Sequence, residues 1–597
     1  MTRLFIEGKE VALPSDLVLD FYSQNPFFTK NGDYTFDMDI DLAHPNNRLI
    51  YQSINRLDVT KRPTNRSAVL MCGPMEIIRG TEVILSIEDN IAKIQIVGGN
   101  SELNYLSGGE QTLRQLNLGN VTISSSEQNN LNRVYPNVNH VCCPVLSERG
   151  TYDISGFTDK NDVLYNELEW DTRNGYVYKE NTQMVTQPFL LYCIDRVVAA
   201  LGYTIVENIL LNDDLACRLI VVNGIKSSQL NRILPKWKVD EFLTEIEKFF
   251  NVIFFVDQTN KEVRILRVYD YYTNTPIQEI DDEDLIDYGE KKYDQEESLY
   301  ITYNNINYNL PSSKWYRYQY LSNDIKEKCE QKNITSGEIE SIVITNEPYT
   351  LWNVTDFGVK IVQSQLQETN GTFVWWEIAD MLGPVVDDNS DNECELKIIP
   401  AEIFANNIWT ESADFGGTKY YTGWLTHAVP VIANVKEAET QKFLYQEIEN
   451  GVQEEESDDS HIFISIYLGL KPYLYSAIDD VEQPGVESIL IPHAIAFPYI
   501  IHKNRLSGGS KITKYDTNLT LSIKPDVGSG TWSRYYASNI QVDTKTEYVF
   551  QFRSDRIYDS KSIFLIRNKK YYCKELHYTI NAEGLEKIVE GTFYLIP

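Results

Sequence analysis

His140, Cys142 and Cys143 carry the donor types that zinc takes, and they lie within four residues of one another. Their spacing argues against a shared ion. The cysteines are adjacent, no second Cys pair follows, no other His lies at ligand spacing, and three ligands in four residues cannot all face one metal without severe backbone contortion. The pair reads as partly buried thiols on a strand. Asp387, Asn389 and Asp391 have the first three spacings of a calcium loop, but its sixth position, which needs Gly, is Asn392, and its twelfth is Ile398 rather than Glu. That segment reads as a polar loop. Gly528-Ser529-Gly530 lacks the flanking spacing of a nucleophile elbow. The seven histidines are isolated, and no H-E-x-x-H string is present. Carboxylates are so numerous that some pair falls at acid–base distance by chance, which singles out none of them. The reading is therefore no catalytic residue, no cofactor-binding residue and no metal ligand.

Two further strings invite a function. Leu106-Ser107-Gly108-Gly109-Glu110-Gln111 has the form of the signature loop of ABC-type ATPases, which works only opposite a nucleotide held by a G-x-x-x-x-G-K-[ST] cradle. No such cradle exists in the chain, so Gly108-Gly109 reads as a turn. Trp375-Trp376 could offer a sugar platform, but an aromatic doublet on a strand places one ring on each face.

The elements that would position these residues belong to a long, acidic, aromatic chain. It has 597 residues, about four domains' worth. Hydrophobic residues make up 42% and charged residues 23%, which excludes wholesale disorder. Lys plus Arg total 54 against 86 Asp plus Glu, a formal net charge of −32. Such a surface repels polyphosphate and excludes a protein built to grip nucleic acid, though not one that nucleic acid slides past. The 39 Tyr, 23 Phe and 9 Trp favour strands. The first residues, with Arg3, Glu7, Lys9 and Glu10, contain no apolar signal region. The longest uncharged runs, such as Tyr420–Val435, contain Thr, Gly, His and Pro, so no membrane insertion is expected. The eight scattered cysteines match no disulfide framework and suit a reducing cytoplasm.

Residues 1–118 read as an N-terminal set of short strands. Asp33–Ile40 alternates, with Tyr34, Phe36, Met38 and Ile40 on one face. Ala68–Met71, Met75–Arg79, Glu82–Ile87 and Ile91–Val97 follow, separated by Cys72-Gly73-Pro74, Gly80-Thr81 and Glu88-Asp89-Asn90. Residues 119–185 read as an irregular or short-stranded insertion. Residues 186–297 form an α+β unit. Its first helix starts near Pro188 with the stripe Leu190, Leu191, Ile194, Val197, Val198 and Leu201, and Gly202 stops it. Its second carries Val239, Phe242, Leu243, Ile246, Phe249 and Phe250 on one face, ahead of a hairpin at 252–268. Residues 271–298 are acidic and mark a boundary. Residues 298–480 read as mainly β, with strands at 298–304, 341–345, 371–378, 395–399 and 461–468 and an acidic loop at 436–460 that faces solvent. Residues 481–597 read as strands at 519–523, 547–552, 562–566, 570–576 and 589–595, with Asn568-Lys569 as a turn.

Three stretches together resemble a family. They are residues 39–57 with 94–107, residues 188–205 leading through 218–224 to 234–257, and residues 563–597. The arrangement is similar to tail or baseplate hub proteins of phages and prophages of Bacteroides-like bacteria, and more distantly to hubs of contractile-tailed phages. The resemblance covers about half the chain and rests on packing stripes and turns. It implies a strand-rich multidomain α+β fold, with two small β-barrels (1–118 and 481–597) and inserted α+β domains. It implies a homo-oligomeric ring, a trimer whose six barrels match a sixfold tail tube. That ring joins the tube (or distal tail protein) to the tip or spike, with DNA passing through the lumen unbound. It further implies a structural protein rather than an enzyme, placed in the virion tail after synthesis in the host cytoplasm. The alternatives are a carbohydrate-binding or adhesin-like surface protein, or a tail-associated glycoside or peptidoglycan hydrolase.

Overall fold

The computed structural model describes residues 1–56, 58–59, 65–108, 111–124, 127–147, 163–171, 175–257, 260–273, 275–293, 305–309, 327, 330–335, 338, 350–355, 359–368, 371–379, 393–415, 418–432, 461–473, 489–503, 510–524, 529–538, 540 and 542–596. It is a strand-rich α+β protein. Among the described residues its largest element is a sheet of 14 strands, twelve from the two ends of the chain and two, Ile277–Ile280 and Leu285–Lys292, from its middle.

Along that sheet Lys9–Val11 pairs with Thr2–Ile6, then come Arg66–Cys72, Met75–Glu88 and Ile91–Gly98. Ile91–Gly98 pairs onward with Met38–Asp41 and Asp33–Thr35, and the latter with Val18–Gln24. Val18–Gln24 then lies antiparallel to Lys569–Asn581, with Val18 opposite Asn581 and Gln24 opposite Glu575. Gly584–Leu595, Thr546–Arg553 and Leu285–Lys292 complete the path. Ile563–Ile566 pairs with Lys569–Asn581 and, in parallel, with Ile277–Ile280.

The expected pair of separate small barrels is not what these strands form. Among the described residues the pairings run along an open path from Lys9–Val11 to Leu285–Lys292, with Met38–Asp41, Ile563–Ile566 and Ile277–Ile280 branching off it. The reason lies in the unpaired edges that small sheets carry. Val18–Gln24 meets its partner within the same chain, and the Thr2 amide donates to the Ala582 carbonyl at 3.0 Å. One core serves both chain ends: Leu4, Ile6, Phe21 and Ile94 pack in a cluster with Phe550, Phe564, Leu576 and Phe593.

Local differences have local causes. Met75–Glu88 is one strand, not two broken at Gly80-Thr81. Gly80 sits where the next strand's backbone comes so close that a Cβ would run into Val97 and Gly98, so the glycine serves close approach rather than a turn. Asp33–Ile40 is two short strands, and the break turns Phe36 out to 48% exposure while Met38 and Ile40 are buried. The tight turn near 568 is Arg567-Asn568, one residue earlier than expected. Both have positive φ (49° and 62°), as a two-residue hairpin turn requires. Residues 519–523 form no strand, although Leu519, Leu521 and Ile523 are buried and Leu521 N–H donates to the Ala496 carbonyl at 2.9 Å. The strands expected at 298–304 and 341–345, the acidic loop at 436–460 and the calcium-like loop at 387–391 lie outside the described residues.

The α+β unit matches its periodicity. Helix Leu190–Ala200 buries Leu190, Leu191, Ile194, Val197 and Val198. Pro188 lies just before its N-cap, Phe189, and pairs with His140 rather than opening the first turn. Gly202, with φ of 89°, takes the left-handed conformation past the helix end. Helix Val239–Phe250 buries all six residues of its predicted stripe and stops at Asn251, φ 48°. Val252–Asp257 and Glu262–Arg267 form the hairpin, and Thr204–Asn208 adds in parallel. These elements share a second core with Ile462–Pro472, whose Ile462, Ile464 and Ile466 lie in the same cluster. Glu402–Phe415 and Thr418–Ile432 make a long hairpin whose base pairs with Val145–Ser147.

Candidate functional site

The acidic stretch after residue 271 holds an element that charge alone conceals. Leu285–Lys292 is the last strand of the large sheet, hydrogen-bonded on one side to Thr546–Arg553. Ile286 and Tyr288 are 44% and 59% exposed, and seven of the strand's eight residues are exposed outright. Among the described residues no strand pairs with its other side, which presents backbone donors and acceptors in the pattern that another strand can complete. The opposite end, Lys9–Val11, is a three-residue strand with Lys9 and Glu10 exposed, a short charged edge that discourages pairing.

Buried carboxylates elsewhere are matched to cations or hydroxyls. Glu102, on helix Gly99–Ser107, accepts from Tyr203 Oη at 2.8 Å and contacts Thr81 and Lys261, fastening the N-terminal strands to the α+β unit. Glu82 accepts from Tyr51 Oη and Arg66 Nε, both at 2.6 Å. Asp213 accepts from Arg534 Nη1 at 2.8 Å and Tyr535 Oη at 2.5 Å. Glu547 accepts from Lys574 Nζ at 2.6 Å, Tyr293 Oη at 2.9 Å and Tyr594 Oη at 3.2 Å. Burial raises the Glu547 carboxyl, but these three donors outweigh it and hold it below the usual carboxylate range. Such groups fasten segments.

The residues singled out in the sequence fall in different places. Leu106 and Ser107 end helix Gly99–Ser107, and Gly108 N–H donates to the Asn104 carbonyl at 2.7 Å. Gly108 is extended (φ −71°), so it caps the helix rather than making a left-handed turn, and Gly109 and Glu110 are outside the described residues. Trp375 and Trp376 occupy successive positions on Gly371–Ala379, opposite Ser364 and Gln363. Ser529 and Gly530 precede the short helix Thr531–Tyr535, while Gly528 is not among the described residues.

Cys143 and Cys142 point apart. Cys143 Sγ lies 3.7 Å from Gln187 Oε1, while Cys142 shares the other side with His140. A third group joins them that spacing did not suggest: Glu127, on the short helix Glu127–Asn130. The donor atoms of Glu127, His140 and Cys142 lie within 4.8 Å of one another. Glu127 Oε1 accepts from Ser124 N–H at 2.9 Å and Ser124 Oγ at 3.1 Å, and Oε2 accepts from Asn130 at 3.1 Å. Burial pulls the His140 pKa down, partly countered by Glu127. Burial also pushes the Cys142, Cys143 and Cys193 thiols up, which makes them poor nucleophiles.

No family model matches the chain, and no curated protein matches it. Among solved structures it is similar to the 43 kDa tail protein of prophage MuSo2 from Shewanella oneidensis, at 8% identity and a TM-score of 0.29, covering 99% of this chain and 97% of that one. It is also similar to the tail protein from Neisseria meningitidis MC58, at 7% identity and a TM-score of 0.30, covering 99% and 95%. Superpositions at this level do not establish a shared fold. Among the described residues no helix is long and apolar enough to cross a membrane.

Proposed function

We propose that this chain is a structural component of a bacteriophage tail, a hub ring at the tail tip that joins the tube to the tip or spike around the DNA path. The observation that carries the reading is the sheet that takes strands from both chain ends and finishes on the exposed strand Leu285–Lys292. A sheet that ends on a long, exposed edge strand is suited to growth by pairing with another chain, and closure around an axis leaves no edge free. In this reading the N-terminal and C-terminal halves of the sheet are two modules per chain, so three chains offer six to a sixfold tube. The net charge of −32 supports a lumen that repels DNA, letting it pass without sticking. The buried carboxylates matched to Arg, Lys and Tyr suit a load-carrying scaffold rather than a hydrolase.

The test is the mass of the purified full-length chain in solution, with labelled antibody against it on intact particles. A trimer, or a ring formed on adding tube protein, together with label at the tail tip is the expected result. A strict monomer that is absent from purified particles would sink the proposal.

One observation favours glycan binding as a second reading. Tyr22 stacks on Tyr34 (centroids 5.5 Å) and on His577 (4.5 Å), beside the exposed Phe36. Saturable binding of a cell-surface polysaccharide, lost on Tyr22→Ala, would favour it over the ring.

A further inference from the structure

We infer that Glu127, His140 and Cys142 form a binding site for one divalent cation of the zinc type. His140–Val141 is extended and pairs with Gln187–Pro188, and the chain runs on to Cys142 with the same alternation. Residues two apart on such a chain share a side, which brings the imidazole and the thiol together and sends Cys143 away toward Gln187. Glu127 arrives from the separate helix Glu127–Asn130 and supplies the third donor.

The separations fit a tetrahedral ion. Zinc bonds of about 2.0–2.1 Å to nitrogen and oxygen and about 2.3 Å to sulfur place neighbouring ligand atoms about 3.3–3.6 Å apart. His140 Nε2 and Glu127 Oε2 are already 3.3 Å apart, and the whole set lies within 4.8 Å, so the Cys142 thiol needs at most a shift of about 1 Å. The imidazole nitrogen is also poorly served as it stands. His140 Nε2 is shut off from solvent, and its one close polar neighbour is the Glu127 carboxylate at 3.3 Å, a long contact. A buried ring nitrogen held only by a long contact gains from a ligand that it can bind directly.

The surrounding groups orient the donors as outer-shell partners do. Ser124 holds Glu127 Oε1 through both its N–H and its hydroxyl, which directs Oε2 at the imidazole. A mixed nitrogen, oxygen and sulfur set suits zinc and cobalt, whereas calcium and magnesium take oxygen alone. Three protein ligands leave a fourth position for water. The ion would staple helix Glu127–Asn130 to the strand at 140–141, in a stretch otherwise built from very short elements.

The test uses the full-length chain, stripped with chelator and titrated with Co²⁺ as the spectroscopic probe. One equivalent should bind, with a thiolate-to-cobalt charge-transfer band that added Zn²⁺ abolishes. Cys142→Ser and His140→Ala should each remove the band, and Cys143→Ser should keep it. Ser124→Ala should weaken binding roughly tenfold. Absence of a saturable, one-equivalent band in the wild-type chain would overturn the site whether or not any variant folds. So would a band that survives in Cys142→Ser or disappears only in Cys143→Ser.

Discussion

Mild acid should loosen the middle of this protein before it reaches the carboxylates. His427 is fully buried and held as one neutral tautomer: Nδ1–H donates to the Pro492 carbonyl at 2.9 Å, and Nε2 accepts from Asn406 Nδ2 at 3.0 Å. His493, its ring centroid 6.0 Å away, accepts on Nδ1 from Ala428 N–H at 3.2 Å, and the same nitrogen lies 2.6 Å from Tyr515 Oη. Burial pulls His427 from 6.5 down to about 4, and burial together with the facing His427 pulls His493 down as well. Both folded values lie below the unfolded one, so between them the unfolded chain binds protons that the folded chain refuses. Stability is therefore complete above about pH 6.5 and falls as the pH drops toward 4. For His427 the full drop is worth about 3 kcal/mol, with His493 adding in the same direction. The assay is the apparent melting temperature from pH 7.5 to 5, for the wild type and for His427→Gln. The wild type should lose several degrees more than the variant over that range. Equal slopes for the two proteins would refute the buried neutral pair as the cause.

Phe242, fully buried on helix Val239–Phe250, should cost on the order of 3–5 kcal/mol on replacement by Ala, read as a lowered midpoint in urea. Gly80→Ala should destabilise by about 2 kcal/mol or more, since its Cβ would meet Val97 and Gly98 backbone, which is 2.7–2.8 Å away even at the second and third contacts. Gly73→Ala, where φ is 61° but nothing lies within 4 Å, should cost only about 1 kcal/mol, so the two melting curves should separate. Asp213→Ala removes the partner of Arg534 and Tyr535 and the N-cap of helix Asp214–Arg218. A loss of about 3 kcal/mol or more is expected, with proteolysis speeding up around residue 213.

Periodic, local features were legible in the sequence. The stripe from Val239 to Phe250 needed only a period of 3.6, and its core face follows directly. Glu245 escaped that pattern. It is buried on the polar side because Lys248 Nζ lies 2.8 Å away and the Lys397 amide donates to it at 2.9 Å, a contact from far along the chain. Gly80 was misread because a glycine that admits a neighbouring backbone and a glycine that makes a turn look alike without the neighbour. The Glu127, His140 and Cys142 cluster was half legible. Alternation separates Cys143 from Cys142, but the third donor sits on another element, and no spacing rule connects a four-residue helix to a strand that returns past it.

The least legible feature is also the one most relevant to function. Nothing in Val18–Gln24 announces that its partner is Glu575–Asn581, because strand pairing is decided by register and edge availability across the whole chain. Once that pairing exists, the two halves of the sheet are joined edge to edge within one chain. A pull on either terminus is carried through the Val18–Gln24 ladder and through Asn25, whose Nδ2 donates to Tyr272 Oη at 2.9 Å and to the Cys573 carbonyl at 2.9 Å. Asn25 Oδ1 in turn accepts from Tyr271 at 2.8 Å, so one side chain ties the N-terminal strands, the α+β unit and the C-terminal strands together. A polar residue with 0% exposure and all these partners is expensive to disturb, and Asn25 is placed where three segments meet. On the proposed tail-hub reading, a part held between a tube and a tip needs such a junction, whereas a binding module hung on a flexible linker does not.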